Sequence, residues 1–156
     1  MPSEPNPQAG ERIHATAIAI GEAGILLRGP SGSGKSSLAL ALIALAGRSG
    51  RFARLVADDR VALTAAGGRL LARPVAPLEG VVERRGLGLT PQPFIGATVV
   101  RLLVDLLGEE PARMPEPEEL VDRIAGLDLP RLRVFGRAGD EQLVLTALDL
   151  FTEPDL

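Results

Sequence analysis

A glycine-rich stretch, GPSGSGKSS at residues 29–37, constrains the fold more than any other feature of the sequence. It places Gly29, Gly34, Lys35 and Ser36 at the spacing of a phosphate-binding loop. Glycines in such a loop let backbone N–H groups converge on phosphate oxygens without interference from Cβ atoms. A short apolar segment precedes the stretch and an Ala/Leu-rich segment follows it. This is the strand–loop–helix context in which the motif binds a nucleotide.

The motif also predicts which residues contact the ligand. Lys35 is expected to reach the β- and γ-phosphates, and the hydroxyl of Ser36 is expected to hold Mg²⁺. The N-terminus of the following helix adds a positive dipole end. The expected nucleotide-binding residues are Gly29, Pro30, Ser31, Gly32, Ser33, Gly34, Lys35, Ser36 and Ser37.

The pattern of apolar residues predicts an α/β fold: a single P-loop domain with a mixed central sheet and flanking helices. Gly47 is expected to end the helix that follows the loop, and Gly67–Gly68 to close a hairpin within 61–72. The Pro-rich residues 1–11 are expected to form a disordered tail before a catalytic domain at 12–156. The expected strands are 12–20, 24–29, 54–59, 99–106 and 129–136, the expected helix is 36–46, 108–119 is an expected exposed loop, and 141–151 is a helix or a strand.

Composition excludes several classes of function. The chain has 156 residues, a net charge of −3, and no cysteine, tryptophan or tyrosine. Without excess positive charge or aromatic stacking residues, nucleic acid is not expected as a partner. The longest apolar run, 38–46, is too short to cross a bilayer, and the N-terminus lacks the apolar segment of a signal peptide. We therefore expect a cytoplasmic domain without a membrane partner.

Two adjacent acids, Asp58 and Asp59, follow the apolar residues LVA. One is expected to serve the metal, and the other to accept a proton from an attacking hydroxyl. Since neighbouring residues on an extended strand point to opposite sides, at most one is expected to face the γ-phosphate directly. The alternative interpretation is a solvated turn in which Asp59 pairs with Arg60.

Other charged residues have both a functional and a structural interpretation. In VVERRGLG, Glu83 is a candidate second metal ligand, and Arg84 or Arg85 a candidate for neutralising phosphoryl charge. A charged, solvated turn would have the same sequence. His14, the one histidine, either approaches the phosphates or is a partly buried structural ring. Arg113, in a Pro-rich loop, either stabilises charge or is an ordinary loop residue.

In this order, IHATAIAI, GPSGSGKSS, LVADDR and VERRGLG resemble the catalytic domain of the HPr kinase/phosphorylase family. The resemblance runs from about Arg12 to the ALDL near the C-terminus. Because only thirteen residues precede His14, the chain is expected to be a short form without the N-terminal domain of longer members. The family's Glu-x-Arg-Gly-Leu-Gly segment is matched by Glu83, Arg85, Gly86, Leu87 and Gly88.

The resemblance implies a bifunctional enzyme. Members use ATP to phosphorylate a serine of HPr, the small phosphocarrier of the sugar phosphotransferase system. They also remove that phosphate with inorganic phosphate, releasing pyrophosphate. A homo-oligomer is expected as well. The implied roles are base and acid for Asp59, contact with the phosphates for His14 and Lys35, Mg²⁺ binding for Ser36 and Glu83, and the family's loop arginine for Arg113.

Departures from the family pattern leave alternatives open. Arg113 lies in Ala-Arg-Met-Pro instead of Asp-Arg-Leu-Gly. Asp140 falls where a positive residue is expected in the segment linked to phosphorolysis, although Arg137 is a candidate substitute. A small-molecule P-loop kinase is one alternative, disfavoured because the candidate lid, 108–119, is acidic with one arginine. The other is a nucleotide-dependent regulatory module with little turnover, whose partner would be a signalling protein.

Overall fold

The computed structural model describes residues 11–152. The expected tail, 1–11, lies outside this range except for Glu11, which begins the first strand. The helices are α1 (Lys35–Arg48) and α2 (Asp140–Thr152), with a short 3-10 helix at Pro117–Leu120. The strands are β1 (Glu11–Ile13), β2 (Thr16–Ile20), β3 (Ala23–Arg28), β4 (Ala53–Ala57), β5 (Val61–Ala66), β6 (Arg69–Pro74), β7 (Val81–Arg84), β8 (Gly88–Pro91), β9 (Thr98–Leu106), β10 (Val121–Ile124) and β11 (Leu127–Val134).

A mixed sheet forms the centre of the described chain, with the strand order β1-β5-β6-β9-β3-β2-β4. The long strand β9 is parallel to β3 on one side. On its other side β9 pairs first with β6, antiparallel, and then with β11, parallel. The strands β7 and β8 form a separate two-stranded sheet. The expected α/β fold with a mixed sheet is confirmed.

The sheet buries apolar side chains on both faces. On one face, Ile18 and Ile25 of the sheet pack with Leu42 of α1 and Leu148 of α2 in a core that both helices cover. On the other face, β5 and β6 close over a second core that contains small residues of β2 together with Leu26 and Leu103. The sheet is therefore covered by helices on one side and by its own antiparallel strands on the other. No helix within residues 11–152 is long and apolar enough to cross a membrane.

The expected strand 12–20 is divided in two, with a break at His14 and Ala15. The halves pair with different partners: β1 with β5, and β2 with both β3 and β4. A continuous apolar pattern does not reveal such a change of partner, because both halves are extended.

The element boundaries differ from expectation in a few places. Helix α1 continues through Gly47 to Arg48, and the left-handed residue after it is Gly50. The hairpin at Gly67–Gly68 is confirmed, and 141–151 lies in a helix instead of a strand. The strand expected at 129–136 begins earlier, because Leu127 pairs with β10 in a hairpin.

A cluster of charged side chains ties β10 and β11 to the strand that enters the glycine-rich loop. Arg28, at the end of β3, donates to Asp105 Oδ1 through Nε (2.7 Å) and to Asp105 Oδ2 through Nη2 (2.9 Å). Its Nη2 also donates to Asp122 Oδ2 at 2.8 Å. Arg131 lies within 3.8 Å of both carboxylates. The half-buried cluster therefore links four strands, β3, β9, β10 and β11, immediately before Gly29.

Replacing Asp122 with Asn is expected to lower the melting temperature at neutral pH and to flatten its fall in acid. The hydrogen bond from Arg28 lowers the pKa of Asp122 below its ordinary 3.8. The stabilisation is therefore present above the unfolded-state pKa and is lost as pH falls through the lower folded-state value. Melting curves between about pH 2 and pH 7 measure the effect. Asp128→Asn is the control, because Asp128 pairs with Arg123 on the exposed surface. An acid profile of Asp122→Asn identical to that of the parent would contradict the assignment.

Candidate active site

The glycine-rich loop connects β3 to α1, and its glycines pack closely against neighbouring atoms. Gly34 has a φ of 99°, and a Cβ atom there would lie 3.2 Å from the carbonyl oxygen of Gly136. A Cβ on Gly29 would lie 2.7 Å from Ser33 Oγ. The hydroxyl of Ser33 is itself buried and has no hydrogen-bond partner among the described residues. The loop thus keeps its backbone free of side chains where phosphate oxygens are expected to approach.

The ammonium group of Lys35 lies inside this loop. Its Nζ donates to the carbonyl oxygens of Gly29 (2.7 Å) and Pro30 (3.0 Å), and the residue is buried. Burial lowers the pKa of Lys35 from its usual 10.5, and the nearby carboxylates of Asp59 and Asp58 partly counteract that decrease. One cation and two carboxylates therefore act on one another in this part of the cleft.

Asp58 is bonded to the first helical turn after the loop. Its Oδ1 atom accepts a hydrogen bond from Ser36 Oγ at 2.7 Å. The same oxygen accepts a second hydrogen bond, from Thr16 Oγ1, at 2.9 Å. Asp58 is thus in direct contact with Ser36, the residue that the sequence predicts to hold Mg²⁺.

Asp59 lies at the centre of a tight turn that begins where β4 ends. The N–H of Arg60 donates to the carbonyl oxygen of Asp58 at 2.8 Å, and Asp59 has a φ of 68°. For a residue with a Cβ this left-handed conformation is strained, and such residues occur often at functional sites. Asp59 Oδ1 lies 3.0 Å from His14 Nδ1, with side chains 61% and 48% exposed, respectively.

The turn removes the strand geometry on which one expectation about the adjacent acids rests, and the partner of Asp59 corrects another. Strand alternation does not govern Asp58 and Asp59, because β4 ends at Ala57 and the chain reverses between them. Both carboxylates consequently act on Lys35. The partner of Asp59 is His14 instead of the neighbouring Arg60.

The segment ERRGLG forms the turn of the β7–β8 hairpin. Gly86 and Gly88 both have positive φ values, and the N–H of Leu87 donates to the carbonyl oxygen of Arg84 at 2.9 Å. The glycines therefore allow the reversal that a residue with a Cβ would resist. The hairpin forms one wall of the cleft, opposite the glycine-rich loop.

The cleft has a volume of about 850 Å³. The glycine-rich loop, the start of α1, the pair of His14 and Asp59, and the hairpin all contribute to its lining. The lining thus includes five residues that are expected to act on phosphate or metal: His14, Lys35, Ser36, Asp59 and Glu83. The lining residues are His14, Thr16, Ser31, Gly32, Gly34, Lys35, Ser36, Ser37, Leu40, Ala41, Ala44, Asp59, Glu83, Arg84 and Arg85.

Arg113 is not among the residues that line the cleft. It is exposed in the loop that joins β9 to the 3-10 helix. Arg137, the candidate substitute for a phosphorolysis residue, is also absent from the lining. Its Nη2 pairs with Glu110 Oε1 at 2.6 Å, and its guanidinium stacks on Phe135. These arginines have no observed contact with the other candidate residues.

Asp140 has a structural explanation in this loop. Its Oδ2 atom accepts hydrogen bonds from the backbone N–H groups of Gly136 and Arg137, both at 2.8 Å. A carboxylate at this place holds the turn before α2 and favours the helix N-terminus. The turn in turn supports the glycine-rich loop, because Gly136 packs against Gly34.

The oxygen donors in the cleft fit a magnesium ion. Mg²⁺ prefers hard oxygen ligands and usually takes one or two from the protein, together with phosphate oxygens and water. The Ser36 hydroxyl is already in contact with the Asp58 carboxylate, and Glu83 of the hairpin lines the same cleft as Ser36. Within residues 11–152 no three His, Cys, Asp or Glu side chains form a preassembled metal cage. Such a donor set suits an ion that arrives with a nucleotide.

Thr16 is the polar residue of the cleft lining that sequence reasoning did not identify. Its only sequence signal is a hydroxyl in an otherwise apolar strand, ATAIAI, two residues after His14. Threonine is common in strands for reasons of packing, so this signal is weak without the contact to Asp58.

Comparisons with known proteins agree with this geometry. Residues 8–102 match the family described as the HPr serine kinase C-terminal domain. An HPr kinase/phosphorylase of Streptococcus thermophilus is 33% identical over 147 residues, which covers 86% of this chain and 46% of that protein. One of Burkholderia lata is 35% identical over 144 residues, covering 85% of this chain and 42% of that protein. The chain therefore spans less than half the length of these curated relatives.

A solved structure shares the fold. The HPr(Ser) kinase/phosphatase of Coxiella burnetii superposes with a TM-score of 0.70 and 23% sequence identity. The match covers 90% of this chain and 89% of that one. The P-loop kinase fold expected from the sequence is thus confirmed over most of the chain.

Asp59→Gly is expected to be more stable than Asp59→Ala by about 1 kcal/mol. Both changes remove the carboxylate and its contact with His14, but only alanine carries a Cβ that is strained at a φ of 68°. Free energies of unfolding from urea titrations measure the difference. At Asp128, on β11, the order is expected to be reversed, because glycine weakens a strand. An Asp59→Ala variant as stable as Asp59→Gly would contradict the left-handed turn.

Proposed function

Because the chain belongs to the family of HPr serine kinase C-terminal domains, we propose that it transfers the γ-phosphoryl group of ATP to a serine. The proposed acceptor is an HPr-like phosphocarrier protein of the sugar phosphotransferase system. One observation carries the proposal: Asp59 lies beside His14 in the same cleft as Lys35 and Ser36. Its carboxylate is exposed, so the hydroxyl of a second protein can reach it.

In the proposed reaction, Asp59 accepts the proton of the serine hydroxyl. The serine oxygen then bonds to the γ-phosphorus as the bond to the leaving diphosphate breaks. His14, at hydrogen-bonding distance, holds one oxygen of the Asp59 carboxylate and keeps it oriented. Lys35 and the N–H groups of the glycine-rich loop neutralise phosphate charge. Mg²⁺, when bound by Ser36, Asp58 and Glu83, supplies further neutralisation.

The proposal includes the reverse reaction, in which inorganic phosphate attacks the phosphoserine and pyrophosphate is released. A loose transition state needs positioning and charge neutralisation more than covalent chemistry, so one site suits either nucleophile. Asp59 would return the proton to the serine oxygen, as microscopic reversibility requires. The ion pair between Arg137 and Glu110 keeps the Arg137 guanidinium away from the cleft. This arrangement favours the kinase reaction over phosphorolysis.

Arg84 and Arg85 are proposed to take part in neutralising the transferred group, since both line the cleft. The role expected for Arg113 remains a proposal that requires its loop to reach the cleft. The other features proposed for the protein are ATP as phosphoryl donor, a cytoplasmic location and self-association. A regulatory module with little turnover is the second candidate, favoured by the absence of Arg137 from the cleft lining.

Asp59→Asn is expected to reduce phosphoryl transfer by about 10²- to 10⁴-fold, because the amide cannot accept the serine proton. Nucleotide affinity should be unchanged, since the loop and Asp58 are untouched. Transfer from radiolabelled ATP to an HPr-like protein, with its Ser→Ala variant as a blank, measures the first quantity. Calorimetric titration with ADP measures the second.

Asp128→Asn is the matched control, because Asp128 is exposed and does not line the cleft. Full transfer by Asp59→Asn would remove Asp59 from the mechanism. Absence of transfer by the unmodified chain to both acceptor forms would overturn the kinase proposal and favour the regulatory module.

Arg85→Ala is expected to reduce transfer more than Arg113→Ala does. A charge that acts on the transferring phosphoryl group must lie in the cleft, and only the first of these arginines lines it. Steady-state kcat with the HPr-like acceptor measures both variants. A larger loss for Arg113→Ala would show that the loop between β9 and the 3-10 helix closes on the cleft during turnover.

A further inference from the structure

The hydroxyl of Thr16 is one of the few buried polar side-chain groups in the described chain. Thr16 is 1% exposed, and its Oγ1 donates to Asp58 Oδ1 at 2.9 Å. We propose that Thr16 is a positioning residue, which orients the Asp58 carboxylate toward Ser36 and thereby sets the affinity for a magnesium–nucleotide complex. This inference rests on the proposed function in so far as it assumes that a nucleotide binds at the glycine-rich loop.

The strand order explains why such a residue is needed. β2 lies between β3, which delivers the glycine-rich loop, and β4, which delivers Asp58, and it is antiparallel to both. The loop and the acid are therefore separated by the width of an intervening strand. Thr16 begins that strand, pairs with Leu27 of β3, and precedes Ala17, which pairs with Ala57 of β4. The side chain of Thr16 therefore lies between the strand that precedes the loop and the strand that precedes Asp58.

The geometry at Asp58 fixes the direction of the carboxylate. The hydroxyls of Thr16 and Ser36 both donate to Oδ1, and neither donates to Oδ2. Two donors on one oxygen hold the carboxylate in one rotamer and leave the other oxygen directed elsewhere. Hydrogen bonds to an ionised carboxylate are stronger than those between neutral groups. A hydroxyl buried to this extent would also incur a desolvation penalty if its partner turned away.

The ordinary explanation for a buried threonine in a strand is packing, because β-branched residues suit strands. That explanation predicts that valine, which has the same shape without the hydroxyl, would replace Thr16 with no effect on metal binding. The positioning role predicts a loss that depends on the metal. Groups that orient a metal ligand through a hydrogen bond typically change metal affinity about 10- to 100-fold when removed.

Calorimetric titration of the full chain with ADP, in Mg²⁺ and in EDTA, separates the two explanations. Thr16→Val is expected to weaken ADP binding about tenfold in Mg²⁺ and to leave binding in EDTA unchanged. Thr16→Ser, which keeps the hydroxyl, is expected to restore the affinity in Mg²⁺. Thr98→Val is the matched control, since Thr98 is a buried threonine of β9 that does not line the cleft. If Thr16→Val does not fold, Thr16→Ala removes the same hydroxyl with a smaller side chain.

A double-mutant cycle with Asp58→Asn tests whether Thr16 acts through the acid. If it does, Thr16→Val has no further effect on Mg²⁺-dependent binding in the Asp58→Asn background. Equal losses in Mg²⁺ and EDTA, additive losses in the cycle, or unchanged binding would each overturn the inference. Its failure is distinguishable from that of the kinase proposal, because ADP binding requires no phosphoryl transfer. A chain that binds Mg²⁺ and ADP as described but phosphorylates no protein would refute only the kinase.

Discussion

The hydrogen bond from Ser36 to Asp58 is the interaction on which the cleft depends. It joins the first turn of α1 to the end of β4, two segments that the intervening strand β2 holds apart. If the strand that precedes Asp58 were paired directly with the strand that precedes the glycine-rich loop, strand pairing alone would bring Asp58 and Ser36 together. Here the contact spans the width of β2, and a side chain of β2, Thr16, donates to the same carboxylate oxygen.

The same few residues also explain how the cleft keeps opposite charges close together. Lys35 is buried within the loop, where its charge is costly, and two carboxylates next to it offset part of that cost. The second carboxylate is available because the chain turns sharply at Asp59 and holds this residue in a strained conformation. The strain separates the tasks of two neighbouring acids: Asp58 is bonded to the loop helix, and Asp59 stays accessible beside His14. The cleft therefore combines a buried cation, Lys35, with an accessible carboxylate, Asp59.

Local sequence patterns were sufficient for the parts of this site that depend on local chemistry. The loop from Gly29 to Ser37 and the hairpin at Gly67–Gly68 each depend on residues close in sequence, whereas Glu83 was singled out by the family resemblance. The features that were missed depend on which strand pairs with which. The break at His14, the contact of the neighbouring Thr16 with Asp58 and the pairing of Asp59 with His14 follow from β1 and β2 having different partners. Arg113 was placed by resemblance in a loop whose sequence differs from the family's, and its observed position lies outside the cleft lining.

The separate hairpin is attached to the rest of the fold differently from the glycine-rich loop. In the described chain, no ladder of backbone hydrogen bonds joins β7 and β8 to the main sheet. Val82, buried in the helix-side core, anchors one strand, and the pairing of Leu55 with Phe94 anchors the segment that follows the hairpin. The glycine-rich loop, by contrast, directly follows β3, which lies in the middle of the main sheet. The cleft residues Glu83, Arg84 and Arg85 are therefore held in place mainly by side-chain packing, whereas Lys35 follows a strand that is hydrogen-bonded on both sides.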